Sequence, residues 1–309
     1  MVDSGVKKAG FLASVREIAV LLLIVIVIRV FGFGLYQVPT GSMETTMLVG
    51  ERFFADKFTI LFTSVNRGEI IAFNDPTFKY SDNKLVRLFQ DYLWGPSNWT
   101  KRVIGIPGDE VKGVIEDGKP VVYLNGKKLD EPYLNKFPLI RVWNVGIGEL
   151  QELVRSGKVS RGDIGSFVRS KSYDPAKPFE AQPYYRIKKD RIYRQDNGQP
   201  VIAKPGTPME AGPHVYGQKI VKGDCYWNNG DEFYVKLGKN QYWLMGDNRL
   251  GSTDCRVLGP IDGRLIHGKI LFRIWSHDSD ENWWIVDLLK NPIDFWSRFR
   301  WSRFFQSVK

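Results

Sequence analysis

Residues 100–111 read TKRVIGIPGDEV. Val103, Ile104 and Ile106 form a short β-branched run that Pro107-Gly108 cuts off, which predicts a strand ended by a tight turn. Lys101 therefore stands in a largely apolar setting near the start of that strand. Runs of the same kind recur on both sides: RGEIIAF (67–73), PVVYL (120–124), YWLMG (242–246) and KILFRIW (269–275). Glycine, proline and Asn-Gly signals separate them, as at Asn125-Gly126, so a mostly β, sheet-built core is expected. Two helices interrupt it. Over 81–92, Leu85, Leu88, Phe89 and Tyr92 fall at i, i+3, i+4 and i+7 behind a Ser81/Asp82 cap. Over 146–156, Ile147, Leu150, Leu153 and Val154 make a stripe that ends at Gly157. Both stripes read as core faces.

Upstream, residues 18–36 read IAVLLLIVIVIRVFGFGLY. Helical, this run reaches about 28 Å, close to the hydrocarbon thickness of a bilayer. Arg29 interrupts it and has to snorkel toward an interface. A cleaved signal peptide is the alternative, with Lys7, Lys8 and Arg16 as its basic region, but the run is long for one and no A-x-A follows it. A retained transmembrane anchor is the expectation. The basic tail 1–17 then stays cytoplasmic, and everything from 37 onward lies outside. Residues 37–135 and 223–275 carry the strand runs of the core. Between them, 136–222 turns polar, rich in Lys, Pro and Tyr, and reads as an insertion in or beside a smaller β unit. In the tail, 276–309, Trp301, Phe304, Phe305 and Val308 are spaced i, i+3, i+4, i+7 among four basic groups and one acidic group in 294–309. That suits an interfacial amphipathic helix, or equally a terminal helix packed on the domain.

The composition bounds the function. At 309 residues, 43% hydrophobic and 25% charged, the chain is globular, which excludes a disordered or fibrous protein, and its length suits about two domains. Lys and Arg (44) exceed Asp and Glu (34), giving +10 and pointing to an anionic neighbour. With the body outside the cytosol and no run of five basic residues, anionic phospholipid is the expected partner and nucleic acid is not. Cys225 and Cys255 are too few for a disulfide framework or a Cys-rich zinc module. An oxidising compartment permits them to pair, but the sequence sets no distance between them. Three histidines, no H-E-x-x-H and no Cys/His ligand spacing leave no metal or other cofactor in prospect. No G-x-S-x-G elbow is present for a Ser-His-Asp hydrolase.

Two further clusters carry hydroxyls and charges. VPTGSMETTML (38–48) follows the apolar run at once, and Gly41 between two hydroxyl residues permits a tight turn that presents Ser42. MGDNRLGSTDCRVLGPI (245–261) crowds Asp247, Asn248, Arg249, Ser252, Asp254 and Arg256 into one loop. Taken singly, these are ordinary turns and a strand. Taken in order (apolar anchor, G-S-M, K-R-V-I-G-I-P-G-D, then G-D-N-R-x-x-S-x-D-x-R) the chain resembles the type I signal peptidases, the membrane-anchored Ser–Lys proteases that remove signal peptides from exported proteins. R-G-E-I-I-A-F and Y-L-N-G-K-K-L-D-E-P-Y-L (123–134) belong to the same likeness, which covers most of the chain outside 136–222.

The resemblance implies a β-sheet catalytic core with a smaller inserted β domain behind one N-terminal transmembrane helix. It implies Ser42 as nucleophile, Lys101 as general base and Ser252 as the group that orients the Lys101 amine. The Ser42 N–H and the Thr40 hydroxyl become the oxyanion hole. Asp254 and Arg256 match a pair that holds the site together. Val38, Met43, Met47, Trp99 and Thr100 become walls of shallow substrate pockets. The implied substrates are preproteins with small residues before the cut, processed on the extracytoplasmic face of the inner membrane. The chain departs from the family pattern at Thr45, often proline, at Thr40, commonly serine, and at Cys255, commonly serine. Rivals fare worse. Ser81-Asp82-Asn83-Lys84 merges two penicillin-binding motifs in one place, and no K-T-G exists. The SOS-repressor autoproteases carry a DNA-binding domain absent from this chain. A membrane-anchored binding module that kept the fold without the chemistry has no need of Ser42, Lys101 and Ser252 together.

Overall fold

The computed structural model describes residues 3–92, 94–203, 220–227, 230–279 and 283–308. In chain order they form α1 (Asp3–Val27), a π-helical turn (Ile28–Gly32), β1 (Phe33–Gln37), β2 (Arg52–Asp56), β3 (Ile70–Asn74), α2 (Lys84–Tyr92) and β4 (Asn98–Gly105). There follow β5 (Glu110–Glu116), β6 (Lys119–Leu124), β7 (Lys127–Lys128), β8 (Leu139–Trp143), α3 (Ile147–Arg155) and β9 (Val168–Ser172). The last third holds β10 (Ile220–Lys222), β11 (Cys225–Trp227), β12 (Phe233–Lys236), β13 (Gln241–Met245) and α4 (Cys255–Leu258). The chain closes with β14 (Ile261–Asp262), β15 (Ile266–Trp275), α5 (Trp284–Lys290) and α6 (Asp294–Ser297).

Seven strands in the order β1-β2-β15-β3-β4-β13-β14 make one sheet, and β10-β11-β12-β5-β6-β7 make a second. All the pairings are antiparallel. β4 passes into β5 through Pro107-Gly108, with Gly108 at φ +90°, a backbone state that glycine adopts without strain. Asn125 and Gly126 both take positive φ in the β6–β7 turn, as an Asn-Gly hairpin requires. Where the sheets meet, Val103, Ile104, Val111, Val122, Phe233, Val235, Trp243 and Leu244 bury one continuous core. The insertion contributes the β8–β9 hairpin, with α3 in its connection, and a core of its own: Ile140, Val142, Tyr185, Ile187 and Ile192 close around Leu48.

Three expectations need correction. The single helix expected over 18–36 does not form: α1 stops at Val27, a π-helical turn covers 28–32, and 33–37 is strand β1, paired with β2 from Phe33↔Asp56 to Gln37↔Arg52. Gly32 and Gly34 weaken helix here, and the sheet edge offers the backbone a full ladder. Among the described residues no helix is long and apolar enough to cross a membrane. The α2 stripe is not a core face, since Leu85, Leu88 and Phe89 are 79%, 57% and 51% exposed. Its cap is Asn83, whose Oδ1 accepts from Leu85 N at 2.9 Å, rather than Ser81 or Asp82. Finally, 294–309 is not one helix. After α6 the tail runs as bridges His277↔Phe299 and Phe272↔Ser307 with a 3-10 turn at Trp301–Arg303. Phe295 and Phe299 are buried beneath it. Cys225 and Cys255 are free thiols.

Candidate active site

The serine turn is built by β1 and the buried methionines that follow it. Beyond Gln37 the ladder continues by Val38 N to Glu51 O (2.9 Å) and Gly50 N to Val38 O (3.0 Å). Thr40 stays extended at φ −133°, and Gly41–Met43 then wind into a 3-10 turn closed by Glu44 N to Gly41 O. Met43 and Met47 plug into a core with Phe53, Ala55, Ile70, Ala72 and Ile270, which pins the turn from below. Gly41 packs closely on the acid that follows it, since a Cβ there would come 2.7 Å from Glu44 Oε1. Asn248 fastens the turn from above: its N–H donates to Ser42 O at 3.1 Å and its Nδ2 to Gly41 O at 2.9 Å.

Lys101 lies opposite Ile71 in the β3–β4 pair, and its side chain is only 5% exposed. Its Nζ sits 3.0 Å from Ser42 Oγ and 3.2 Å from Thr100 O, with the Trp99 ring centroid 5.7 Å away. Gly246, next to the β13 residue paired with Arg102, has no room for a side chain: a Cβ would stand 2.5 Å from both Ser42 O and Ser252 Cβ. Ser252 is thus packed directly behind the serine turn. Its Oγ is shielded from solvent and makes no hydrogen bond in the structure.

Alternation along β4 turns Arg102 to the face opposite Lys101. There its guanidinium grips Asp247 through Nε (2.8 Å) and Nη2 (2.6 Å), and Thr46 Oγ1 adds a third bond to the same carboxylate (2.6 Å). Asp254 holds Arg256 through Nε and Nη2, each at 2.9 Å, and accepts from Gly246 N at 3.0 Å. Burial works against the Asp254 charge, but Arg256 outweighs it and lowers the carboxyl's pKa. Arg256 also reaches Asp231 at 2.7 Å and Arg249 O at 2.8 Å.

A further carboxyl lies beneath the turn. Glu44 is completely buried and takes the N–H of Ser172 at 2.8 Å, the Ser172 hydroxyl and the Tyr185 hydroxyl, all from the insertion. Tyr185 OH in turn accepts from Val49 N. Burial pushes the Glu44 carboxyl up to about 7 despite those bonds. On the tail side, Arg303 donates to Thr45 O, Thr46 O and Glu51. Burial opposes the Glu51 charge too, yet Arg303 and Arg273 hold its pKa down.

Of the residues singled out from the sequence, Ser42, Lys101, Ser252, Asp254 and Arg256 come together here, with Trp99 and Thr100 flanking the amine. Thr40 is exposed at the mouth of the turn. Val38, Met43 and Met47 are 8%, 2% and 1% exposed and share the core beneath it. Sequence reading passed over Arg102, Glu44, Ser172, Tyr185 and the anchoring role of Asn248. Arg102 had a signal, as a charge alternating with Lys101 on an apolar strand while Asp247 stood without a role.

A sequence profile described as "Signal peptidase, peptidase S26" matches residues 11–175 and 181–275. The chain belongs to that family of signal peptidases. Over 308 residues it is 24% identical to signal peptidase I of Buchnera aphidicola, covering 94% of this chain and 84% of the relative. Signal peptidase I of Aquifex aeolicus is 26% identical over 268 residues, covering 85% and 84%. A crystal structure of a signal peptidase I from Enterococcus faecalis aligns with 67% of this chain and 97% of its own at 16% identity, with a TM-score of 0.28, too slight a likeness to carry weight.

Proposed function

We propose that this peptidase cleaves signal peptides from exported preproteins by a Ser42–Lys101 dyad acting through an acyl-enzyme. The observation that carries the reading is the 3.0 Å contact between Lys101 Nζ and Ser42 Oγ, within the range a general base needs. A base must be neutral, and burial penalises the ammonium form of a lysine. The neutral amine takes the Ser42 proton as Oγ attacks the scissile carbonyl, and the resulting ammonium protonates the leaving amine. The same amine then deprotonates the water that frees the acyl group. Ser42 N–H and the Thr40 hydroxyl stabilise the oxyanion, each donor worth about 3–4 kcal/mol in the transition state. Ser252 steadies the amine. Its buried, unbonded hydroxyl favours that part, because such a group costs about 1–3 kcal/mol unless it is used.

Among the described residues β1 pairs only with β2, so it offers an open edge to which an extended substrate adds as a strand. Val38, Trp99 and Thr100, floored by Met43 and Met47, form shallow pockets that admit small side chains before the cut and exclude large ones. The start of β1, the ends of β2 and β3 and the starts of β4 and β15 share one end of the sheet. Apolar groups crowd the segments that leave that end: Ile18 to Val27 of the first helix, Phe58 and Phe62 after β2, Leu85 and Phe89 on α2, and Trp94, all exposed. This end attaches to the membrane, with anionic phospholipid meeting the chain's +10 charge and the body on the extracytoplasmic side.

The test is cleavage of a preprotein carrying an A-x-A site, with Ser42→Ala and Lys101→Ala as controls. Both variants should be folded and inactive. Retained activity in Lys101→Ala at neutral pH would assign the base elsewhere.

A further inference from the structure

A cleft of about 970 Å³ opens beyond the serine turn. One wall is Thr40, Gly41 and Gly50; the other is the β8–β9 hairpin of the insertion, which presents Arg141, Trp143, Arg169 and Lys171. Among the described residues lining it there is no aspartate or glutamate. Two of the cations are held along the rim. Arg169 Nη1 donates to Ser166 O at 2.8 Å, and Lys171 Nζ stands 4.8 Å over the Tyr185 ring.

The direction of the chain relates this cleft to a substrate. The apolar end of the sheet lies where β1 begins, and Ser42 lies past the other end of β1. A signal peptide whose apolar core stays at the membrane must therefore approach along β1 in the same direction as β1 itself. Residues that follow the scissile bond are then carried past Thr40 and Gly41. The five-residue strands of the hairpin span about 17 Å, room for roughly four or five extended substrate residues.

We propose that this cleft binds the first residues of the mature chain, and that its cations select acidic side chains there. The inference rests on the signal-peptidase reading above and gives the insertion a part in specificity.

Two preproteins identical through the cut, with Asp or with Lys at the second and third mature positions, test it on the full chain in neutral detergent. The Asp form should be cleaved with a kcat/KM about three- to tenfold higher, the scale of a few exposed ion pairs. Arg169→Glu should bring the ratio toward one. Raising salt from about 0.05 to 0.5 M should do the same in the unaltered chain, since exposed charges are screened. A ratio near one that neither change moves overturns the cleft's role while leaving the peptidase intact. If neither preprotein is cut, and Ser42→Ala behaves as the wild type does, the signal-peptidase reading itself fails and takes the cleft with it.

Discussion

Gly246→Ala is the most direct probe of how the serine is held. The added methyl would stand 2.5 Å from Ser42 O and from Ser252 Cβ, and contacts under 3.0 Å are not tolerated. Something must retreat by roughly 0.5–1 Å, and the serine turn is squeezed between Gly246 and the Met43 core. Overpacking of this kind costs about 1–3 kcal/mol of stability. A displacement approaching 1 Å at the nucleophile costs about 100-fold in rate. Gly105→Ala is the control, because its methyl would meet Val111 Cγ2 at 2.6 Å in the core between the sheets, away from Ser42. The two variants should therefore lose similar stability in thermal melts, while only Gly246→Ala loses kcat in the preprotein assay. Full activity in Gly246→Ala, or equal losses in both, would refute the claim that this contact sets the position of Ser42.

Three other outcomes follow from the buried charges and the apolar end. The folded Glu44 carboxyl titrates near 7 against an ordinary 4.5, so the native state holds more protons than the unfolded chain in that window. The Glu44 contribution to stability is then full below about pH 4.5 and declines as pH rises through 7, by about 3 kcal/mol at most, and Glu44→Gln should flatten this slope in denaturant titrations at pH 5, 6, 7 and 8. Arg102→Met leaves Asp247 buried without its guanidinium and should cost about 3–5 kcal/mol by chemical denaturation, part of it regained in the double variant with Asp247→Leu. Phe62→Ser with Phe89→Ser should weaken co-sedimentation with anionic vesicles by about tenfold or more, given about 1.5–3 kcal/mol for each phenylalanine withdrawn from apolar contact; unchanged partitioning would remove this end from the membrane interface.

The local chemistry of β4 was plain in the sequence, because a β-branched run ended by Pro-Gly has few other solutions. Asn125-Gly126 was equally readable, since its turn demands positive φ at both residues. The α2 stripe was legible as a helix but not in its environment, as the same spacing of Leu85, Leu88 and Phe89 serves a protein core or a lipid surface. The run 18–36 misled for a related reason: Phe33 and Leu35 are as apolar as a helix needs, and only the ladder with β2 decides for strand. Ser42 and Lys101 stand out in the sequence through their neighbours. Ser172 and Tyr185 were not, because they reach Glu44 across 128 and 141 residues from a segment with no periodicity to read.

The bonds between Glu44 and the hairpin bear on any attempt to shorten or recombine this enzyme. Excising 136–222 would not trim an appendage; it would strand an acid in the floor beneath Ser42 and uncap Leu48. A minimal version, or a chimera with a more compact homologue, would have to exchange position 44 together with the excised segment, so the two make one unit.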